Sequence, residues 1–310
     1  IADVLNVSTG RNNSTEVKMK PFVISEAFNS GFSLALMAKD LRIAADLSKH
    51  LGLSIPQVQS VAQMWERARD RLKADVARHG LAFSGFAQDL WSEQLLNTRD
   101  TSHYVESFKT NCDFAVDLGI KGIRVDTVQP PTIHREADYG DLLKRLVTTW
   151  DYCLGYAGDQ GLRVCWEFEP GFAFNKPSDI QRVLDKLPHE HFGVLYDTCH
   201  AHMAATIGAN HQGEKEILPG GALELLQKLQ GKITHIHLID SDGSLNEHNT
   251  STHNPFGTGH LNFDQLIPAM MKCGVPHDWW CVDLCFWPHA WDVTAQSKKF
   301  LLVCFHVISV

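Results

Sequence analysis

The sequence predicts an α/β protein: a (β/α) TIM-type barrel, incomplete at six recognisable strands, preceded by an N-terminal all-α segment. Three observations carry that expectation. From about residue 80 onward, short apolar runs alternate with longer amphipathic stretches, which is the pattern of repeated βα units. The apolar runs are nearly continuous rather than alternating, as in parallel strands covered on both faces. Acidic residues or histidines close four of these runs, and a barrel gathers its chemistry at the C-terminal ends of its strands.

Taken in order, strands are expected at residues 81–86, 122–127, 162–168, 192–197, 233–239 and 279–284. Helices are expected between them at 102–118, 141–159, 177–187, 221–230 and 262–272. The stretch 69–80 reads as the end of a helix leading into the first strand. In Asp117-Leu-Gly-Ile-Lys-Gly122 and again in Asp159-Gln-Gly161, glycine stands just past a helix and just before an apolar run, the chemistry of an α-to-β junction. Pro177 suits the first turn of its helix, where a missing N–H costs least, and Ser178 and Asp179 suit the same end. No glycine-rich phosphate loop follows any strand, which disfavours a nucleotide-binding sheet. The apolar tail 300–310 falls short of the ~20 residues a membrane-spanning helix needs. It reads as a helix that packs on the barrel or as an irregular end.

Residues 1–64 differ. They contain helix-like stretches at 33–51, and at 56–74 running past that boundary, with no repeated strand signal, so the barrel is assigned to 65–310.

Composition narrows the function. A formal net charge of −8 without a Lys/Arg run argues against nucleic acid, whose phosphates need a basic surface. The eight cysteines show no paired metal spacing, and several lie in apolar runs, as reduced thiols of a cytoplasmic protein do. No signal peptide and no membrane span are expected.

Four strand ends carry the chemistry. In Trp166-Glu167-Phe168-Glu169, residues two apart share a face, so Glu167 and Glu169 point the same way. Two carboxylates on an apolar strand are costly unless paired or bound to a cation; an exposed strand end is the plainer alternative. Asp197 closes the run 192–196 and His200 follows, although Asp is also a common helix N-cap. His235 and His237 share a face of a buried strand, and His235, deeper in it, reads rather as a satisfied core histidine. Asp283 closes the last run. If the sheet closes, a Glu, an Asp, a His and an Asp from four separate strands converge. Oxygen-rich ligation with one imidazole suits Mn²⁺, Mg²⁺ or Co²⁺, and admits Zn²⁺. Arg124, Asp126 and His134 are further candidates for the mouth, with Arg124 preferred as a salt-bridged barrel residue. Trp279, Trp280, Phe286, Trp287 and Trp291 crowd the last strand as a sugar-stacking wall or as packing.

The phrases Glu167-x-x-x-Gly171, Asp197-Thr-Cys-His200, His235-Ile-His-Leu-Ile-Asp240 and His253-Asn-Pro-Phe-Gly-Thr-Gly259 resemble the sugar phosphate isomerase/epimerase group of xylose-isomerase-like barrels, over about residues 68–300. The resemblance implies a divalent-metal-dependent isomerase or epimerase of a sugar, sugar phosphate or polyol, with the metal held by Glu167, Asp197, His237 and Asp283. It implies that Glu167 and Asp283 act as base and acid, shuttling a proton between neighbouring carbons through an enediolate held by the metal. It implies that His200 touches the substrate and that the 253–259 loop, with His253, lines the mouth; Glu169 is an alternative ligand to Glu167, and Glu169, His134 and Trp287 are further candidates for binding the substrate. Position 283 is Asp where the family usually has Glu, a carboxylate about one methylene shorter. Relatives that dehydrate polyols or cleave C-glycosides make a lyase the alternative on the same metal. A fusion or fragment acting only as a binding module is a third reading.

The N-terminal phrases Asp3-Val-Leu-Asn-Val-Ser-Thr-Gly-Arg-Asn-Asn-Ser-Thr15 and Leu36-Met-Ala-Lys-Asp-Leu41 resemble the helical C-terminal domain of 3-hydroxyisobutyrate dehydrogenases. That likeness would turn Ser8, Thr9 and Gly10 toward a hydroxy acid and Lys39 toward a cofactor. No GxGxxG occurs, so no NAD is expected. Unpaired edges of an incomplete barrel invite self-association, so a homo-oligomer is among the expected states.

Overall fold

Short strands separated by helices force parallel pairing, because a helix returns the chain to the same end of the sheet. The computed structural model of the chain describes residues 16, 20, 34–88, 90, 93–127, 139–274, 279–285 and 287–308. It divides into two units, residues 1–82 and 83–310.

In the first unit, α1 (Leu34–His50) and α2 (Pro56–Arg78) pack against each other across a short connection. The connection turns at Gly52, whose φ of 66° is a left-handed conformation that glycine adopts without strain. Pro56 opens α2 at its first turn. The small residues Ala45, Ser48 and Ala62 are buried, whereas Ile43, Leu47, Leu51 and Met64 are exposed.

The second unit alternates β1 (Phe86–Ala87), α3 (Ser102–Leu118), β2 (Gly122–Val125), α4 (Tyr139–Asp159), β3 (Arg163–Glu167), α5 (Pro177–Lys186), β4 (Phe192–Asp197) and α6 (Thr198–His202), which runs into a wider π-helical turn at Met203–Ile207. It continues through α7 (Gly221–Lys228), β5 (Ile233–Leu238), α8 (Phe263–Lys272), β6 (Trp280–Val282) and α9 (Ala290–Ile308). The six strands form one sheet in chain order, every pair parallel. This is the incomplete (β/α) barrel that the sequence predicts. The glycine junctions hold: Gly119 and Gly161 take φ of 75° and 70°. The tail is helical through Ile308, and Leu301 and Phe300 pack into the core.

One expected strand is displaced. The run 81–86 is not paired until Phe86, which sits opposite Ile123, and Leu81 is 65% exposed. Apolar content alone does not make a strand where no neighbouring strand lies alongside.

The sheet sorts its residues by parity. Ile123, Val125, Val164, Trp166, Val194, Tyr196, Ile236 and Leu238 join the buried core under the helices. The alternate positions Arg124, Cys165, Leu195, His235, His237 and Cys281 line a single cavity of about 370 Å³ that every strand touches. Only a curled sheet lets strands from first to last border one cavity. An irregularity between β4 and β5 sets which face the histidines take. Val194 pairs with Ile233, but Leu195 pairs with His235, so Thr234 is the extra residue. Because parallel partners share a face, this insertion puts His235 and His237 inside with Leu195. Gly193 makes it feasible, since a Cβ there would run into the Lys232 carbonyl and the Thr234 side chain. Among the described residues, no helix is long and apolar enough to cross a membrane.

Candidate metal centre

β3, β4, β5 and the residue after β6 each deliver one ligand-type side chain to the same end of the sheet. Glu167 ends β3, Asp197 ends β4, His237 lies one residue before the end of β5, and Asp283 follows β6. One ligand atom from each lies within 4.8 Å of the others. His237 Nδ1 stands 3.1 Å from Glu167 Oε1, 3.1 Å from Asp283 Oδ2 and 3.9 Å from Asp197 Oδ2. The shorter carboxylate at 283 reaches the cluster.

Each carboxylate spends one oxygen on the protein and turns the other to the common point. Arg124 Nη1 donates to Glu167 Oε2 at 2.6 Å, the His200 N–H donates to Asp197 Oδ1 at 2.8 Å, and the Cys285 N–H donates to Asp283 Oδ1 at 2.9 Å. The remaining Glu167 Oε1, Asp197 Oδ2 and His237 Nδ1 are buried without a hydrogen bond of good geometry, although His237 Nδ1 closes to 3.1 Å on both Glu167 Oε1 and Asp283 Oδ2. Buried polar atoms are nearly always partnered. Three orphans facing one point, two of them carboxylate oxygens, fit a cation with oxygen ligands and one imidazole.

A second group sits beside the first. His200 Nε2 is 4.0 Å from Glu167 Oε1 and 3.9 Å from Glu169 Oε2, and its Nδ1 contacts Ser251 Oγ at 2.8 Å. The His253 ring lies 5.0 Å from that of His200, and its Nδ1 is 3.6 Å from Asp283 Oδ1. Asp240 fixes the segment that carries His253. Its carboxylate accepts the N–H groups of Ser241, Gly257, Gly259 and Leu261.

The charges are strongly perturbed. Burial, with the neighbouring Glu167 carboxylate, pushes Glu169 well above the usual carboxylic range. Burial pushes Asp197 up to about 7. Burial acts the same way on Glu167 and Asp283 but is outweighed, by Arg124 and His237 at Glu167 and by His237 and His253 at Asp283, so both are held low. Burial, then His253, pushes His200 down to about 3, leaving its imidazole neutral.

Of the residues singled out from sequence, Glu167, Asp197, His237, Asp283, His200, Glu169 and His253 are brought together. Arg124 is both the salt-bridged residue expected and a direct partner of Glu167; it also meets Asp126 at 3.3 Å. His134 and Phe286 lie outside the described residues, as do Ser8, Thr9 and Gly10; Lys39 falls in α1. Trp287 is half-buried beyond β6 and is not among the residues lining the cavity. Trp280 packs on the core, whereas Trp291 is 90% exposed. Ser251 and Cys281 escaped the sequence reading; Cys281, two residues before Asp283 on an apolar run, carried the period-2 signal that puts it on the same face.

The chain matches the family model described as xylose isomerase-like TIM barrel over residues 33–297. Inosose dehydratase of Geobacillus thermodenitrificans (strain NG80-2) is 23% identical over 190 residues, 58% of this chain and 57% of that protein. 2-(Hydroxymethyl)glutarate dehydrogenase of Eubacterium barkeri is 31% identical over 67 residues, 22% of each chain. The chain thus spans just over half of the first relative's length and about a fifth of the second's. Among solved structures, a D-tagatose 3-epimerase-like protein superposes with a TM-score of 0.61 at 17% identity, covering 78% of this chain and 84% of that one. A xylose isomerase-like TIM barrel protein from Mycobacterium smegmatis in complex with magnesium gives 0.57 at 14% identity, covering 88% and 89%. At these identities the likeness is one of fold.

Proposed function

We propose, because the chain belongs to the xylose isomerase-like TIM barrel family, that it is a divalent-metal-dependent isomerase or epimerase of a sugar, sugar phosphate or polyol. The observation that carries this reading is the set of three unpartnered buried atoms, Glu167 Oε1, Asp197 Oδ2 and His237 Nδ1, turned to one point beside Asp283. Glu167, Asp197, His237 and Asp283 would hold Mn²⁺, Mg²⁺ or Co²⁺, with Zn²⁺ admitted by the same donors. Such an ion, when bound, polarises a carbonyl and a neighbouring hydroxyl of the substrate and acidifies the C–H between them.

The protein's part is to bind, orient and move the proton. Glu167 and Asp283, held ionised, border the site from β3 and from the end of β6 and are suited to take a proton from one carbon and return it to the next or to the opposite face. The Arg124 salt bridge keeps the Glu167 carboxylate in one orientation. Neutral His200, held through Ser251 and facing Glu169, would donate to or accept from a substrate hydroxyl. His253, anchored through Asp240, completes the rim.

A lyase reading has its own support. Glu169 is a buried carboxyl beside His200 whose proton burial and the Glu167 carboxylate hold more tightly than usual, and a carboxylic acid is what a departing hydroxyl needs in the loss of water from a polyol. The similarity to an inosose dehydratase points the same way. Incubating the Mn²⁺-loaded protein with ketoses, ketose phosphates, inosose-like polyols and C-glycosides and resolving the products by mass separates the readings. Unchanged mass with a new isomer supports isomerisation, and loss of water supports the lyase. No turnover in any arm, with and without metal, favours a binding module.

A further inference from the structure

Below the carboxylates, β5 and β6 present a second set of donors, of which the proposed reaction uses only His237. His237 pairs with Cys281 across the two strands, and His235 lies one same-face step earlier on β5. Strands stand ~4.8 Å apart and same-face residues recur every second position, so these three side chains meet inside the curl of the sheet. One ligand atom each from His235, His237 and Cys281 lies within 4.8 Å of the other two, and Cys281 Sγ is 3.4 Å from His235 Nε2. His235 is buried, and all three border the cavity, so an ion and an outer water have a route in.

We propose that His235, His237 and Cys281 form a second metal site, selective for thiophilic divalent cations such as Zn²⁺ or Cd²⁺. The donor set differs in kind from the one above it. Two imidazoles and a thiolate are soft ligands that suit Zn²⁺, whereas carboxylates suit Mg²⁺ and Mn²⁺. Three protein ligands leave a fourth tetrahedral position, which opens on the cavity. Coordination releases the Cys281 thiol proton to solvent and moves no electron. Because His237 borders both sets, a thiophilic ion below competes with the oxygen-ligated ion above for one imidazole. The site itself stands on the β5–β6 register and does not require the catalytic reading.

The test is a titration of the metal-free, reduced full chain with Cd²⁺, followed by the ultraviolet thiolate-to-metal charge-transfer band. The wild-type protein and the Cys165→Ser and Cys285→Ser variants should show the band saturating at one ion per chain. Cys281→Ser should lose it, and His235→Asn should lose or weaken it. Glu167→Gln should keep the band while losing Mn²⁺ binding, which distinguishes failure of this site from failure of the proposed function. Absence of the band from the wild type, or its loss in Cys285→Ser with retention in Cys281→Ser, overturns the proposal. Should the Cys281 and His235 variants not fold, X-ray absorption of the wild type with one equivalent of Zn²⁺ decides: a sulfur at ~2.3 Å is expected, and a first shell without sulfur contradicts the assignment.

Discussion

Arg124 Nη1 donates to Glu167 Oε2 at 2.6 Å, across the β2–β3 boundary, and leaves Glu167 Oε1 facing the other acids. One arginine therefore both neutralises a fully buried carboxylate and fixes which of its oxygens is available. Removing one partner of a buried ion pair costs about 3–5 kcal/mol, because the other charge stays buried and alone. Arg124→Met should destabilise the barrel unit on that scale in urea unfolding. Adding Glu167→Gln to it should cost less than the two single losses predict, since contacting residues couple. Simple additivity would contradict the pairing.

The inward face of His235 and His237 depends on the inserted residue Thr234 and on the absence of a side chain at Gly193. Gly193→Ala forces a methyl against the Lys232 carbonyl, and overpacking of this kind costs about 1–3 kcal/mol. The variant should unfold at lower urea and bind Mn²⁺ more weakly, as the histidines shift with β5. Unchanged stability together with unchanged affinity would show that the two strands do not approach as closely as described.

Asp240 accepts four backbone N–H groups from Ser241 and from the 257–261 stretch. Asp240→Ala strands these donors, at about 1–3 kcal/mol for each that stays buried and unsatisfied. Faster amide exchange is expected across 253–261, with a lower melting temperature. Protection equal to wild type there would contradict the anchoring role.

His211 accepts the Glu216 N–H on Nδ1 at 3.2 Å, and burial, aided by Lys176, pushes its pKa down to about 4. The unfolded chain binds the proton near 6.5 and the folded one only near 4, so the contribution is complete above ~6.5 and is lost as pH falls toward 4. His211→Gln keeps an acceptor that does not titrate in this range. Urea midpoints measured from pH 7.5 to 4.5 should fall less steeply for the variant than for the wild type, and parallel profiles would count against the assignment.

Much of this was open to inspection in the chain. Helix ends marked by Gly119, Gly161 and Pro177, and apolar runs closed by Glu167, Asp197 and Asp283, are local signals, and the structure follows them. What escaped depends on register between distant segments. Nothing local marks Thr234 as an inserted residue, places Ser251 on His200, or sets Cys281 beside His235. The first strand slipped for the converse reason: 81–86 is apolar, yet at the sheet edge only Phe86 and Ala87 find a partner strand. The oxygen of Glu167 that stays bare is decided by Arg124, 43 residues earlier in the chain.

The count of Mn²⁺ ions retained per chain after loading and desalting, by elemental analysis, probes the metal centre most directly. Wild-type protein should hold one, and Glu167→Gln and His237→Ala should hold close to none while keeping the wild-type helical signal. A wild type that retains no Mn²⁺, or full occupancy in both variants, would contradict the convergence of Glu167, Asp197, His237 and Asp283 on a single ion.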